Sequence, residues 1–93
     1  MTKERQIKIL MMDRCTKAEA EKYVNNNRVT IYEDFEENFD QYMDELVLRA
    51  GFGKEEAEEE IANYRKMIDT KRPLTDWGVV EDAGKTYYIM YVN

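Results

Sequence analysis

The chain contains no histidine and no serine, and its 93 residues include a single cysteine, Cys15. Without histidine and serine, neither a Ser-His-Asp nor a Cys-His catalytic arrangement can form, and no imidazole is available as a general base or metal ligand. One cysteine can form neither an intrachain disulfide nor a structural zinc site. These absences make catalysis the less favoured class of function.

Long apolar runs are also missing, and there is only one proline. No stretch approaches the roughly 20 apolar residues of a membrane span, and no signal-peptide pattern opens the chain. Hydrophobic residues make up 43% of the sequence and charged residues 37%, which is typical of a globular domain with a solvated surface. We therefore expect one domain over residues 1–93, located in the cytoplasm, with no membrane contact and no cofactor.

Negative charge is concentrated in the middle of the chain. The formal net charge is −6, yet residues 33–60 alone hold twelve acidic residues against two basic ones, a net of −10. The flanking segments are net positive. A field concentrated in this way repels nucleic-acid phosphates and attracts basic protein surfaces. The simpler interpretation, in which the glutamates only solvate the outer faces of two helices, stays open.

Helix caps and apolar periodicity predict three helices. Thr16 and Glu19 have the spacing of a capping box, which opens a helix. Asp34 is suited to cap a second helix, whose apolar stripe begins at Phe35, and the glycines that follow separate it from a third. The predicted helices cover about 17–25, 35–49 and 54–68. The N-terminal segment carries weaker signals and is also predicted to be helical.

Runs of β-branched and aromatic residues predict three strands. Gly84 can supply the positive φ of a hairpin turn between the last two. The last strand is apolar on both faces, which is typical of a central strand covered on both sides, although one face could instead await a partner. The predicted strands cover about 28–32, 76–81 and 86–92. Together with the helices they predict an α+β fold, a small single domain with a three-stranded sheet.

The carboxylates of the acidic block are the candidate binding residues. They lack the spacing of a calcium-binding loop and radiate from a helix instead of converging, which disfavours a metal site. Lysine and arginine side chains that bind phosphates also bind carboxylates, so the block suits a basic groove on another protein. The candidate partner-binding residues are Glu36, Glu37, Asp40, Asp44, Glu45, Glu55, Glu58 and Glu59. We assign no catalytic and no metal-ligating residue.

Other distinctive residues are given structural roles. Cys15 is predicted to be a buried thiol, because no histidine can activate it and Asp13 is close in sequence. Trp77 and the C-terminal tyrosines could anchor an interface but are more typical of a core. The basic pairs Arg65-Lys66 and Lys71-Arg72 lack stacking aromatic residues, so we do not expect direct nucleic-acid binding.

Three segments resemble small proteins carried on plasmids, integrative elements and phages of Gram-positive bacteria. They are TKAEAEKYV, TIYEDFEENFDQYMDE and PLTDWGVVEDAGKTYYIMYV. Some proteins of this group are similar to type II-A anti-CRISPR proteins, which block the RNA-guided DNA nuclease of the host. The resemblance covers about residues 16–92 and leaves residues 1–15 as an N-terminal extension. It implies a direct protein inhibitor whose partner is the host type II CRISPR effector nuclease.

Combined with the charge pattern, this resemblance leads to a specific hypothesis. RNA-guided nucleases hold guide and target in a positively charged channel, which an acidic protein could occupy to block loading of guide RNA or target DNA. Two other functions stay open. The carboxylates could serve a metal-dependent ribonuclease acting on guide RNA, or the chain could be a structural or accessory protein of a mobile element that self-associates through its last strand.

Overall fold

The computed structural model describes every residue from Met1 to Asn93 and contains four helices and a three-stranded antiparallel sheet. The helices are α1 (Lys3–Asp13), α2 (Lys17–Asn25), α3 (Phe39–Ala50) and α4 (Lys54–Thr70), and the strands are β1 (Val29–Tyr32), β2 (Trp77–Asp82) and β3 (Lys85–Tyr91). The predicted α+β fold is confirmed. None of the helices is both long enough and apolar enough to cross a lipid bilayer.

The strand order is β1-β3-β2, so the last strand of the chain is the central one, as predicted. Val29 lies opposite Tyr91 on one side of β3, and Trp77 lies opposite Met90 on the other. A two-residue turn, Ala83-Gly84, joins β2 to β3, and both residues have positive φ (51° and 79°). This is the turn geometry that matches the natural twist of a hairpin.

Helices cover both faces of the sheet, because β3 alternates its side chains between two hydrophobic clusters. Ile89 packs with Ile9 and Leu10 of α1, and all three are fully buried. Tyr88, also fully buried, packs with Met43 and Met67 on the opposite face. The apolar character of both faces of β3, which predicted a covered central strand, therefore reflects two separate cores.

The capping residues at the start of α2 are sufficient to predict where this helix begins. The Thr16 hydroxyl accepts a hydrogen bond from the Glu19 backbone N–H, and the Glu19 carboxylate accepts one from the Thr16 N–H. These two bonds form the predicted capping box and lower the pKa of Glu19. The helix ends at the asparagine run, where Asn27 adopts a positive φ of 53°.

Residues 1–15, which lie outside the resemblance, contribute to the hydrophobic core that contains Ile89. α1 buries Ile9 and Leu10 completely, and Cys15 follows it with 8% exposure. At the end of the helix the Asp13 carboxylate accepts a hydrogen bond from the Tyr91 hydroxyl at 2.8 Å. The guanidinium of Arg14 donates to the backbone carbonyl of Trp77. α1 is thereby attached to both β2 and β3.

The predicted start of the second helix is wrong. Residues 35–38 form a turn, α3 begins at Phe39, and Asp34 does not cap it. The Asp34 carboxylate instead accepts hydrogen bonds from the side chains of Asn38 (2.7 Å) and Tyr42 (2.5 Å). The turn allows the Phe35 ring to lie among aromatic rings of the hydrophobic core that contains Tyr88, where Phe35 is 1% exposed. Burial of this ring outweighs the local capping preference.

Candidate protein-binding surface

All eight carboxylates predicted to bind a partner are exposed. Only Asp40 forms an ion pair within the chain: its carboxylate lies 3.7 Å from the Arg65 guanidinium, and the Asp40 side chain is 95% exposed. An ion pair this exposed contributes little to stability. The candidate residues are therefore hydrated carboxylates that can pair with cations of another molecule.

The fold distributes these carboxylates along one helical pair. α3 and α4 are joined by the short connection 51–53, and Arg65 of α4 reaches both Asp40 and the ring of Phe39 at the start of α3. The two helices are therefore antiparallel. One end carries Glu36, Glu37 and Asp40, the other end carries Glu55, Glu58 and Glu59, and Asp44 and Glu45 lie between them on α3. The eight carboxylates are spread along the exposed sides of both helices and do not form a single cluster; these exposed sides together are called the acidic surface.

Glu36 differs from the other seven carboxylates because it is hydrogen-bonded to a residue of the hydrophobic core. The hydroxyl of Tyr88, a fully buried residue of β3, donates a hydrogen bond to the Glu36 carboxylate at 2.9 Å. Burial and this hydrogen bond raise the pKa of Tyr88. The sequence carries no local signal for the contact, since it depends on the register that places Tyr88 beneath the turn before α3.

Cations also approach the acidic surface near Glu36. An open depression between the turn before α3 and the tip of the β2–β3 hairpin is lined by Glu36, Glu37, Lys71 and Lys85. Lys71 is already paired with Glu81 at 2.8 Å, which raises the pKa of Lys71 and lowers that of Glu81. Charges that are separated in the sequence are thus partly balanced in space at this end of α3.

The described residues contain no cluster of metal-ligating side chains, and the one thiol of the chain is buried. Nowhere do three carboxylate or thiol side chains come close enough to hold a metal ion. Cys15 is buried as predicted, its Sγ lies 3.9 Å from the Tyr91 hydroxyl, and burial raises the pKa of its thiol. A raised pKa disfavours the thiolate, which is the nucleophilic form of cysteine.

Aromatic residues and basic pairs lie where the sequence indicated. Trp77 and Tyr87, like Tyr88 and Tyr91, are buried in the two cores and do not form an exposed patch. The basic pairs at 65–66 and 71–72 are exposed. Sequence reasoning missed the hydrogen bonds that join Asp34, Asn38 and Tyr42, although a spacing of four residues is the signal for side chains that meet across one helical turn.

The acidic surface can form ion pairs and charge-assisted hydrogen bonds with lysine and arginine side chains. Its length is set by α4, whose 17 residues span about 25 Å. Residues 33–70, which contain both helices, hold thirteen acidic and four basic residues, and these nine excess negative charges over this length amount to about one per 2.8 Å, compared with about one per 1.7 Å in duplex DNA. In comparisons with known proteins, no family model, curated protein or solved structure matches the chain.

Proposed function

We propose that this protein is a non-enzymatic, acidic inhibitor of the anti-CRISPR type. It binds the basic nucleic-acid channel of a type II RNA-guided DNA nuclease in the host bacterial cytoplasm and blocks loading of guide RNA or target DNA. The observation that carries the proposal is the exposed acidic surface of the α3–α4 pair, where seven of eight candidate carboxylates have no ion-pair partner in the chain. The resemblance in three sequence segments supports the choice of partner.

Charge density supports competition with nucleic acid. A nuclease channel built to neutralise phosphates presents lysine and arginine side chains at close spacing. The acidic surface carries about three-fifths of the linear charge density of duplex DNA, and carboxylates accept hydrogen bonds from guanidinium groups as phosphates do. Such a surface gains its affinity by replacing the nucleic acid and not by recognising a sequence.

The two other functions have less support. A ribonuclease using these carboxylates needs a metal site, and the side chains do not converge on one. Self-association through the faces of β3 would need an uncovered face, but helices cover both. Neither route has a structural observation in its favour.

An order-of-addition experiment tests the proposal. The protein is mixed with the purified nuclease before guide RNA, after guide RNA, or after target DNA, and each complex is followed by gel mobility. Inhibition only before guide addition means guide exclusion, and inhibition of the guide-loaded nuclease means exclusion of target DNA. Inhibition should saturate near one protein per nuclease and survive a metal chelator. Absence of a complex in every order would refute the proposal, and chelator-sensitive turnover would favour the ribonuclease.

A further inference from the structure

One edge of the sheet is open. The Val92 N–H donates to the Arg28 carbonyl, and the alternation of an antiparallel pair then directs the backbone groups of Thr30 and Tyr32 toward β3. The N–H and C=O groups of Val29 and Ile31 therefore point away from the sheet. No other backbone or side-chain group of the protein bonds to them.

On the opposite edge the backbone groups of Trp77, Val79 and Glu81 point away from β3, and this edge is protected by covered groups at Trp77 and by charged side chains. On β2 the Trp77 N–H donates to the Leu74 carbonyl at 3.0 Å, and the Trp77 carbonyl accepts from Arg14. The same strand carries Glu81 and Asp82, and both are in ion pairs. Charged side chains and covered backbone groups are the usual means by which proteins prevent edge pairing. The four residues of β1 are uncharged and carry no such protection.

The surroundings of β1 leave room for another strand. An open depression runs beside the strand and is lined by Met1, Gln6 and Tyr42 together with residues of β1 itself. Met1 is 48% exposed there. An added strand would therefore meet both free backbone groups and an apolar contact.

The charges at the two ends of β1 are complementary to those of an antiparallel copy. Arg28 precedes the strand, Glu33 and Asp34 follow it, and all three are exposed. In an antiparallel pair of copies, Arg28 of each lies beside Glu33 and Asp34 of the other, and twofold symmetry repeats the contact. A parallel pair would place like charges together.

We propose that two copies of this chain associate antiparallel through their β1 edges and form one continuous six-stranded sheet. The pairing supplies partners for the free groups of Val29 and Ile31. Since β1 has only four residues and each chain carries a net charge of −6, the dimer dissociates on dilution. The inference is independent of the proposed inhibitory function.

Sedimentation equilibrium with charge variants tests the pairing and its direction. From about 10 µM to about 1 mM, the average mass should rise from 11.2 kDa toward twice that value. Arg28→Glu and Glu33→Arg should each raise the dimer dissociation constant about tenfold, because each places like charges together. An equimolar mixture of the two variants should recover association, since opposite charges meet again. Monomer at every concentration, or unchanged association of both variants, would overturn the proposal.

Amide hydrogen exchange measured residue by residue provides a second readout. The amides of Val29 and Ile31 should become protected as protein concentration rises, whereas the Thr30 amide, bonded to β3, should be protected throughout. Dimerisation without protection of Val29 and Ile31 would overturn the proposal. Protection that appears only when the nuclease is added, with the chain still monomeric, would also overturn it and assign the edge to a strand of that partner.

Discussion

The buried hydroxyl of Tyr88 lies 2.9 Å from the exposed carboxylate of Glu36 and donates a hydrogen bond to it. This contact joins the centre of the sheet to the acidic surface. The hydrogen bond restricts the Glu36 side chain, whereas Glu37 beside it has no hydrogen-bond or ion-pair partner in the chain. A carboxylate fixed before binding loses less conformational freedom on meeting a cation. Glu36 is therefore the candidate residue whose position depends most directly on the core.

Substitutions at Tyr88 should distinguish the contribution of ring packing to stability from that of this hydrogen bond. Tyr88→Phe keeps the ring and should lower the free energy of unfolding by about 1–2 kcal/mol, while Tyr88→Ala opens a cavity and should lower it by about 3–5 kcal/mol. Urea denaturation measures both. Glu36→Gln, which keeps an acceptor and removes the charge, is the control for the hydrogen bond. A Tyr88→Ala protein with unchanged stability that no longer binds its partner would make β3 a recognition surface.

Reversing charge on α3 and the preceding turn should abolish partner binding without unfolding the protein. The variant carries lysine at positions 37, 40 and 44, which are exposed and lie opposite the apolar stripe of α3. The only ion pair removed is the exposed one between Asp40 and Arg65. Circular dichroism should be unchanged, and binding of the wild type should weaken as salt increases.

A matched control tests whether position matters or only net charge. Lysine at positions 4, 21 and 69 produces the same change in net charge, and none of the glutamates or the aspartate replaced there forms an ion pair or side-chain hydrogen bond in the structure. This control should retain inhibition. An equal loss of inhibition in both variants would show that binding depends on total charge and not on its position. Full inhibition by the variant at 37, 40 and 44 would exclude the acidic surface as the binding site.

Gly78 should tolerate no side chain because of Asp13. A Cβ at Gly78 would lie 2.4 Å from the Asp13 carboxylate oxygen Oδ2, closer than atoms can approach. That same oxygen accepts the hydrogen bond from Tyr91. Gly78→Ala should therefore lower the free energy of unfolding by about 1–3 kcal/mol. In an Asp13→Ala background the same substitution should cost much less, and strictly additive effects in the double variant would contradict this explanation.

Elements with local signals were predictable, and those set by tertiary contacts were not. The capping box of α2 lies within four residues. Apolar side chains on both faces of β3 predicted that it is the central strand. Asp34 has an equally local signal, which failed because Phe35 is drawn into the aromatic core. The preference of one capping residue, about 1 kcal/mol, is smaller than the gain from burying a phenylalanine ring, about 1.5–3 kcal/mol.

In the acidic surface, too, some features could be predicted from the sequence and others could not. Exposure of Glu37, Asp40 and Asp44 follows from their spacing relative to the apolar stripe, so the sequence was enough to predict it. The bond from Tyr88 to Glu36 and the approach of Lys71 depend on how distant segments pack. Periodicity reports which way a side chain faces but not which distant residue it meets.

Replacing Ala83 should stabilise the β2–β3 hairpin. Ala83 has a φ of 51°, in the left-handed region that a Cβ disfavours, and the following Gly84 has a φ of 79°. Asn-Gly is the preferred pair for a turn of this type. Ala83→Asn should raise the free energy of unfolding by about 0.5–1 kcal/mol, whereas Gly84→Ala, the control, should lower it by a similar amount or more. Thermal denaturation followed by circular dichroism decides, and a destabilised Ala83→Asn protein would contradict the argument.

Alkaline pH should unfold the protein because its tyrosines are stabilised in the neutral form. The hydrogen bond to Asp34 raises the pKa of Tyr42 to about 12, and burial followed by the hydrogen bond to Asp13 raises that of Tyr91. A pKa above the unfolded value of about 10 gives stability that is complete below pH 10 and is lost as pH rises through the folded value. We therefore expect unfolding to begin above about pH 10.

Tyrosinate absorbance and circular dichroism, recorded on the same samples, test this expectation. Ionisation of Tyr42 and Tyr91 should coincide with loss of secondary structure, because their neutral hydroxyls donate the hydrogen bonds to Asp34 and Asp13. Tyr42→Phe removes one of these groups and should make stability less sensitive to pH between about 10 and 12. If all seven tyrosines ionise at ordinary pKa values while the fold persists, the hydroxyls are not held as the structure shows.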